Sequence, residues 1–354
     1  MLENNNRQDD YFDMPFNVYR HLCIRYGRCL VETGYLDKAL HFLEKSLGLA
    51  NKDNDKNTLA WAQFCYSGFY FSKGYGKKVI DSSQKSQKYY EEVNYPFMIA
   101  FNEYWLAYGY YLLGDLETAL KHVEKGYAMQ KDIAVNYAIA WYPLLIGMIN
   151  LDLGNTISSQ SNIDEAMAIS IKGNNRNAEG SSKILMGRIL GKSKLSKPEE
   201  AEKYIFLGIE ILEELKLRPN ASQGYFFLGE LYSDIGEHDK ALEWLKKAES
   251  EFRDMGTDYW LSFCKSLIGK VLSKISSSNF NESEQAIFDA MKTAREIESK
   301  PALAYGHLCL GEIYADDGQK EKALENLKKA EAMYQEMGMG LWLGKTREIL
   351  KRLI

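Results

Sequence analysis

Apolar helical runs alternate with short polar breaks along this chain, and the breaks recur at a regular interval. Gly34, Gly74, Gly114 and Gly154 fall at forty-residue steps, each directly after an apolar run. A glycine at the end of a helix often adopts positive φ, so each of these glycines is expected to end one helix of a pair. Self-similarity at a fixed period is typical of repeat architectures. The pattern therefore predicts stacked helical hairpins.

The same unit returns, with small insertions, in the C-terminal half. The segment 228–256 (LGELYSDIGEHDKALEWLKKAESEFRDMG) reappears at 310–338 as LGEIYADDGQKEKALENLKKAEAMYQEMG. Pro219 and Pro301 occupy equivalent places at the preceding junctions. Two segments this similar indicate repetition of one structural unit.

Small residues give each unit its predicted geometry. An alanine such as Ala241 at the helix crossing permits tight antiparallel packing, and Leu245 continues the buried stripe. An earlier small residue in each repeat lets a partner helix approach closely; these residues are Gly27, Gly68, Ala107, Gly147, Gly187, Gly229, Gly269 and Gly311.

A lone helix pair cannot bury both of its apolar faces, so the pairs must stack on one another. The sequence therefore predicts an all-α protein, an α–α superhelix of about eight antiparallel helix pairs. The predicted boundaries are a flexible N-terminal segment at 1–15, the solenoid at 16–340 and a C-terminal capping helix at 341–354.

The small–small–Ala signature, with Tyr232 and Tyr314 at its aromatic position, resembles the tetratricopeptide repeat over residues 16–338. The period is nearer forty than the usual value of about 34. Forty-residue versions with an (F/Y)xxMG helix end followed by a tryptophan (Trp260, Trp342) are similar to the sensor arrays of bacterial signalling proteins. There the arrays accompany a nucleotide cyclase or a STAND-type ATPase. The resemblance implies a signalling or scaffold setting.

Charge and cysteine content narrow the setting. With 44 Lys and Arg against 49 Asp and Glu, the net charge of −5 argues against a nucleic-acid or membrane surface. The N-terminus lacks the apolar core of a signal peptide, and no run is long enough to span a membrane. All five cysteines except Cys264 lie in helical runs beside apolar residues, as small hydrophobes in a reducing compartment do. A cytoplasmic protein is expected.

Motifs for catalysis are weak. The segment 74–78 (GYGKK) resembles a phosphate loop, but it lacks the G-x-x-x-x-G-K-[ST] spacing and follows a helix instead of a strand. The histidines have no HExxH spacing, and no serine lies in a G-x-S-x-G elbow. We therefore expect no enzymatic activity, no cofactor and no metal site.

The resemblance implies that the first helix of each pair lines the concave surface. When the early small residue is counted as position eight, positions two, five, nine and twelve face the groove. In repeats two to four these positions form an aromatic and apolar stripe, and an arginine flanks each side. The candidate binding residues are Phe69, Phe101, Tyr104, Tyr108, Tyr111, Trp141, Leu144, Met148 and Leu151, with Arg28 and Arg188 beside them.

Two interpretations of this stripe stay open. It forms a groove for an amphipathic helix or an extended peptide, with aromatic anchors and with arginines that bind acidic groups. Alternatively, the forty-residue period tightens the superhelix, so that these side chains pack on one another across the lumen.

The leading functional hypothesis is a non-catalytic scaffold in bacterial signalling or regulation that binds a protein or peptide through its concave groove. The alternative is a ligand-sensing arm of a cyclase- or STAND-type system that binds a small molecule or a signalling peptide. The array starts near Phe16 without a polar cap, which solenoid ends need for solubility. An upstream segment, a partner subunit or a homo-oligomer through this uncapped N-terminal end is therefore also expected.

Overall fold

A computed structural model describes residues 8–14, 17–133, 138–193 and 198–353 of the chain. Within these ranges the protein contains seventeen α-helices, one short 3₁₀ turn at Ser277–Asn279 and no strand. The helices form eight antiparallel pairs and one closing helix, so the predicted all-α repeat architecture is confirmed. Residues 1–7 and 15 of the predicted N-terminal segment lie outside the described residues.

Each pair has an inner helix that faces the superhelix axis and an outer helix that covers it. The inner helices are α1 (Val18–Glu32), α3 (Lys56–Lys73), α5 (Pro96–Leu113), α7 (Trp141–Asp152), α9 (Arg176–Lys192), α11 (Arg218–Asp234), α13 (Asp258–Ile275) and α15 (Lys300–Asp316). The outer helices are α2 (Leu36–Asp53), α4 (Gly76–Glu92), α6 (Leu116–Ile133), α8 (Thr156–Lys172), α10 (Pro198–Glu214), α12 (His238–Met255), α14 (Phe280–Glu296) and α16 (Lys320–Met337). The chain closes with α17 (Gly340–Leu353).

Local sequence sets the ends of these helices. The Asp55 carboxylate accepts a hydrogen bond from the backbone N–H of Thr58 at 3.1 Å and so caps the start of α3. Pro219 and Pro301 lie in the first turns of α11 and α15, where the missing N–H has no intrahelical partner to lose. Gly114 ends α5 with φ of +88°, a conformation that favours glycine.

Six of the eight early small residues lie against the outer helix of their own pair, and Gly68 instead lies against Trp105 of α5. A Cβ at Gly229 would lie 2.5 Å from Cγ of Leu245, and a Cβ at Gly311 would lie 2.5 Å from Cγ of Leu327. Both leucines are fully buried. A side chain at either glycine would push the outer helix away, so the repeat needs the small residue for packing.

The glycines at forty-residue steps have a second role that the repeat pattern alone does not reveal. A Cβ at Gly74 would lie 2.7 Å from Cβ of Tyr259, and one at Gly114 would lie 2.4 Å from Sδ of Met337. Gly34 and Gly154 similarly face the sixth repeat and α17. In every case the end of an inner helix rests on the element five repeats further along. One superhelical turn therefore packs directly on the next.

Direct contacts between α3 and α13, α5 and α15, and α7 and α17 complete this stacking. Ser299 at the start of α15 donates a hydrogen bond from its hydroxyl to the Leu112 carbonyl at 3.2 Å, across 187 residues of sequence. Successive superhelical turns are thus in direct contact, and the inner helices surround a lumen.

Two cysteines differ from the prediction. Cys264 is fully buried on α13, 3.3 Å from the Leu245 carbonyl, and behaves as the small hydrophobe it was not expected to be. Cys29 lies on an exposed face of α1. Leu22 and Tyr26 share that face, and each is 52% exposed. This face of α1 is therefore exposed and largely apolar.

Replacing Gly74 with alanine is expected to cost more stability than the same change at Gly236. Both glycines have φ near +85°, at +86° and +84°, so both variants carry backbone strain of about 1–2 kcal/mol. Only at Gly74 does the new methyl group meet the next turn, since a Cβ at Gly236 has nothing within 4 Å. That overlap adds about 1–3 kcal/mol. Equilibrium unfolding in urea measures both losses, and equal losses would contradict a stacking role for Gly74.

Candidate ligand-binding site

The lumen contains a cavity of about 890 Å³. Its wall comes from the inner faces of α1, α3, α5 and α7 in the first superhelical turn, and from the N-terminal halves of α9 and α11 with the start of α13 further along the chain. Pockets that bind small ligands measure about 300–1,000 Å³. The cavity therefore has the size of a ligand site.

Aromatic side chains form one side of the wall. The ring centroids of Phe71 and Tyr108 lie 4.3 Å apart, and those of Tyr104 and Tyr108 lie 4.9 Å apart with the rings nearly perpendicular. Phe64 and Phe101 make a similar contact at 4.9 Å. Tilted and edge-to-face contacts are the favourable geometries for aromatic pairs. The rings hold one another in place, so this apolar surface is preformed.

The tyrosines of this wall are uncharged. Burial raises the pKa of Tyr108 to about 12, and burial likewise holds the pKa of Tyr104 well above its usual range. Both phenols stay protonated at any physiological pH. They offer hydroxyl groups and ring surface to a ligand, and no negative charge.

Carboxamides and hydroxyls line the second side of the wall. The Asn220 carboxamide of α11 donates a hydrogen bond to the Ser181 hydroxyl of α9 at 3.0 Å. Its nitrogen also lies 3.5 Å from the side-chain oxygen Oδ1 of Asn177, at the outer limit of a hydrogen bond. Gln223, one turn further along α11, contributes another carboxamide to the lining. Each carboxamide carries both a donor and an acceptor.

Charged groups in the described lining are confined to Arg28, Glu32 and Arg176. Arg28 donates to the Glu32 carboxylate at 2.9 Å, and Arg176 donates to Glu214 at 2.8 Å. Both guanidinium groups therefore already have a carboxylate partner. The cavity surface is nearly neutral.

The floor of the cavity joins four inner helices. Tyr111 and Tyr259 both line the cavity, and Tyr111 donates a hydrogen bond to the buried Asp152 carboxylate at 2.7 Å. The same carboxylate accepts a hydrogen bond from the indole N–H of Trp342 at 3.2 Å and lies 4.0 Å from Arg188. Asp152 thus connects α5 and α9 to the closing helix α17.

A buried ion network continues beyond this floor. Glu230 lies 3.3 Å from Arg188 and 3.0 Å from Lys192, and Asp234 lies 2.6 Å from Lys192 and 3.3 Å from Lys345 of α17. Burial by itself would raise the pKa of Glu230, but the two neighbouring cations hold that pKa below its usual value. The network joins the inner helices to the closing helix by ionised groups.

Eight of the eleven residues predicted to bind a ligand line this one cavity: Arg28, Phe101, Tyr104, Tyr108, Tyr111, Trp141, Leu144 and Met148. The other three do not. Phe69 and Leu151 are buried in the helix packing. Arg188 is buried against Glu230 and over the Phe227 ring, and the structure therefore gives it an internal partner where an acidic ligand was expected.

Several lining residues were missed by the sequence analysis. Phe64, Phe71 and Trp105 lie at the edges of the inner helix faces, outside the four positions that were counted. Asn177 and Asn220 precede the counted window in their repeats, near the starts of α9 and α11. The sequence gives no signal that identifies these two asparagines, since Asn57 at the equivalent position of α3 lies outside the cavity lining.

Both interpretations of the aromatic stripe describe part of the molecule. Around Tyr104 and Tyr108 the stripe borders the cavity. At Tyr111 and Leu151 the lumen is filled by packed side chains and by the hydrogen-bonded groups around Asp152. The lumen therefore contains a partly open cavity beside a stretch that is filled by packed side chains.

The described geometry defines a helical repeat protein with a cavity among its inner helices. Residues 21–53 and 222–253 match the family model of the tetratricopeptide repeat. The chain therefore carries tetratricopeptide repeats, as the small–small–Ala signature indicated. No curated protein is significantly similar to it in sequence.

Solved structures with the same fold include bacterial regulators. The chain is similar to the Rap conjugation gene regulator of plasmid pLS20 in complex with the Phr* peptide, with a TM-score of 0.66 at 13% identity over 90% of this chain and 96% of that one. It is similar to a Rap protein complexed with Competence and Sporulation Factor, with a TM-score of 0.62 at 12% identity over 94% and 98% of the two chains.

A third similar structure is a STAND protein with a tetratricopeptide repeat sensor from Pyrococcus horikoshii, with a TM-score of 0.50 at 17% identity over 95% of this chain and 50% of that one. At these identities the similarity establishes the fold alone. None of the described helices combines the length and the apolar character needed to span a membrane.

The Glu230→Gln variant is expected to lose stability in a pH-dependent way. Because the folded-state pKa of Glu230 is lowered, its ionised form stabilises the fold above the ordinary pKa of 4.5, and this contribution disappears as pH falls through the lowered value. The difference in melting temperature from the wild type should be largest near pH 7 and should shrink below pH 4.5. Glu117→Gln, at a position 80% exposed, is the control and should change little. A Glu230→Gln deficit that is constant from pH 7 to 3 would contradict this role.

Proposed function

We propose that this protein is a regulator that binds a short peptide inside its superhelix and has no catalytic activity of its own. The observation that carries this proposal is the partly open luminal cavity with aromatic rings on one side and carboxamides on the other. Of the two hypotheses from sequence, this one refines the peptide-binding scaffold by moving the site from an open groove to the lumen.

The chemistry of the two walls suits a peptide. A peptide main chain presents alternating N–H and C=O groups, and the carboxamides of Asn177, Asn220 and Gln223 offer matching acceptors and donors. Aromatic rings opposite to such groups supply the apolar surface that anchors side chains in peptide-binding sites. The size of the cavity limits the bound stretch to a few residues and leaves no room for a folded domain.

Two similar structures support a regulatory role. One is a conjugation gene regulator solved with the Phr* peptide, and the other is a Rap protein complexed with Competence and Sporulation Factor. Those ligands belong to the two similar proteins. The peptide preference of this chain is inferred from its own lining residues. We place the protein in the cytoplasm, where its five free cysteines stay reduced.

A ligand-sensing role is a second candidate, because the cavity floor is connected to the end of the chain. A ligand that displaces the Tyr111 hydroxyl disturbs the Asp152 carboxylate, which also holds the Trp342 indole of α17. Occupancy of the lumen would then change how firmly α17 packs on α7. A signalling partner that contacts α17 would respond to this change in the packing of α17.

A bulky residue in the cavity is expected to abolish peptide binding without unfolding the protein. Ser181→Trp fills part of the lumen, and Ser161→Trp on the exposed face of α8 is the matched control. Pools of blocked heptapeptides should raise the melting temperature of the wild type and of Ser161→Trp by a few degrees, since ligand at 100 times its Kd adds about 2.7 kcal/mol.

Ser181→Trp should show no such rise, while its circular dichroism stays helical. If no pool stabilises the wild type, the proposal that the protein binds peptides is wrong. If the pools stabilise Ser181→Trp equally, the binding site lies outside the lumen.

A further inference from the structure

We propose that the cavity selects peptides whose buried stretch carries no charged side chain and presents an aromatic or large aliphatic residue to the ring-lined wall. This inference rests on the proposed peptide-binding function and deepens it. It concerns which peptides enter the site, and follows from the charges and ring contacts of the lining.

The lining offers no free counter-ion. Its three charged side chains, Arg28, Glu32 and Arg176, are each engaged in an ion pair within or beside the cavity. A lysine or glutamate side chain of the ligand would lose its hydration on entry and would find no unpaired partner among the described lining residues. Burial of an unpaired charge is among the most unfavourable events in protein binding.

The aromatic wall is also a poor cation cage. A cation binds best over an open ring face. Here the rings of Phe71, Tyr104 and Tyr108 pack on one another, and Phe64 packs on Phe101, so neighbouring rings occupy much of that surface. These rings present an apolar surface to the ligand, which suits an uncharged side chain.

An aromatic or aliphatic anchor gains the most from this wall. Trp105 and Trp141 extend the ring surface on α5 and α7, and Leu144 and Met148 add an aliphatic area beside them. A large apolar side chain that enters the cavity buries most of its surface against this group. The Met148 thioether is adaptable and adjusts to side chains of different shape.

The test uses three pools of heptapeptides blocked at both ends. Every peptide carries phenylalanine, lysine or glutamate at its centre, and the remaining positions hold uncharged amino acids. Binding to the full chain is measured by calorimetry. The phenylalanine pool is expected to bind at least tenfold more tightly than either charged pool.

Equal or tighter binding of the lysine or glutamate pool would overturn the selectivity and leave peptide binding standing. Absence of binding by all three pools, in the presence of intact helical structure, would overturn the proposed function itself. The two failures are therefore distinguishable.

A single change in the lining is expected to weaken the preference against lysine. Asn177→Asp places one carboxylate in the cavity near the start of α9, where a negative charge is favoured by the helix N-terminus, so the variant should fold. It is expected to bind the lysine pool at least tenfold more tightly than the wild type does, and the glutamate pool more weakly.

Asn57→Asp is the matched control, because Asn57 occupies the equivalent second position of α3, is exposed and lies outside the cavity lining. It should leave the affinities for all three pools unchanged. If Asn177→Asp binds the lysine pool no better than Asn57→Asp does, the charge of the lining does not set the selectivity and the inference is wrong.

Discussion

Packing of one superhelical turn on the next is the constraint on which the rest of this structure depends. At Gly74 and Gly114 the end of an inner helix approaches the element five repeats further on so closely that even a methyl group would overlap with it. The same glycines need positive φ to end their helices. Glycine therefore meets two requirements at these positions, the close contact and the positive φ. The forty-residue period places a glycine where both requirements occur. Without this close approach the solenoid would be an open ribbon.

Closure converts the concave surface into a cavity and buries polar groups that an open solenoid would leave in water. Asp152 is the clearest case, since it accepts hydrogen bonds from Tyr111 and Trp342 on opposite sides of the stacking contact. Buried charges persist only when they are paired and hydrogen-bonded. The network around Glu230 meets that condition and ties the closing helix to the inner helices. The cavity and the closing helix consequently share one set of interactions.

The fold followed from the sequence because its determinants are local and repeated. Small residues, helix-ending glycines and the apolar stripe all recur at one interval, so helix pairs and their number were predictable, and Tyr104 and Tyr108 fell on the cavity side. The remaining cavity-lining residues could not be predicted, because they depend on which repeats meet after a full superhelical turn. The later repeats present the starts of their inner helices to the cavity, so Asn177, Asn220 and Tyr259 lie before the positions that were counted. No local pattern specifies that geometry.

Photo-crosslinking determines directly whether a peptide binds in the lumen. A blocked, uncharged heptapeptide pool with benzoylphenylalanine at its centre would be irradiated with the protein, and the attached residues would be mapped by mass spectrometry. Luminal binding should give adducts on the inner surface of α5 and on the N-terminal halves of α9 and α11, within 101–112, 177–185 and 220–227. Adducts confined to the outer helices, or to the exposed face of α1, would contradict it.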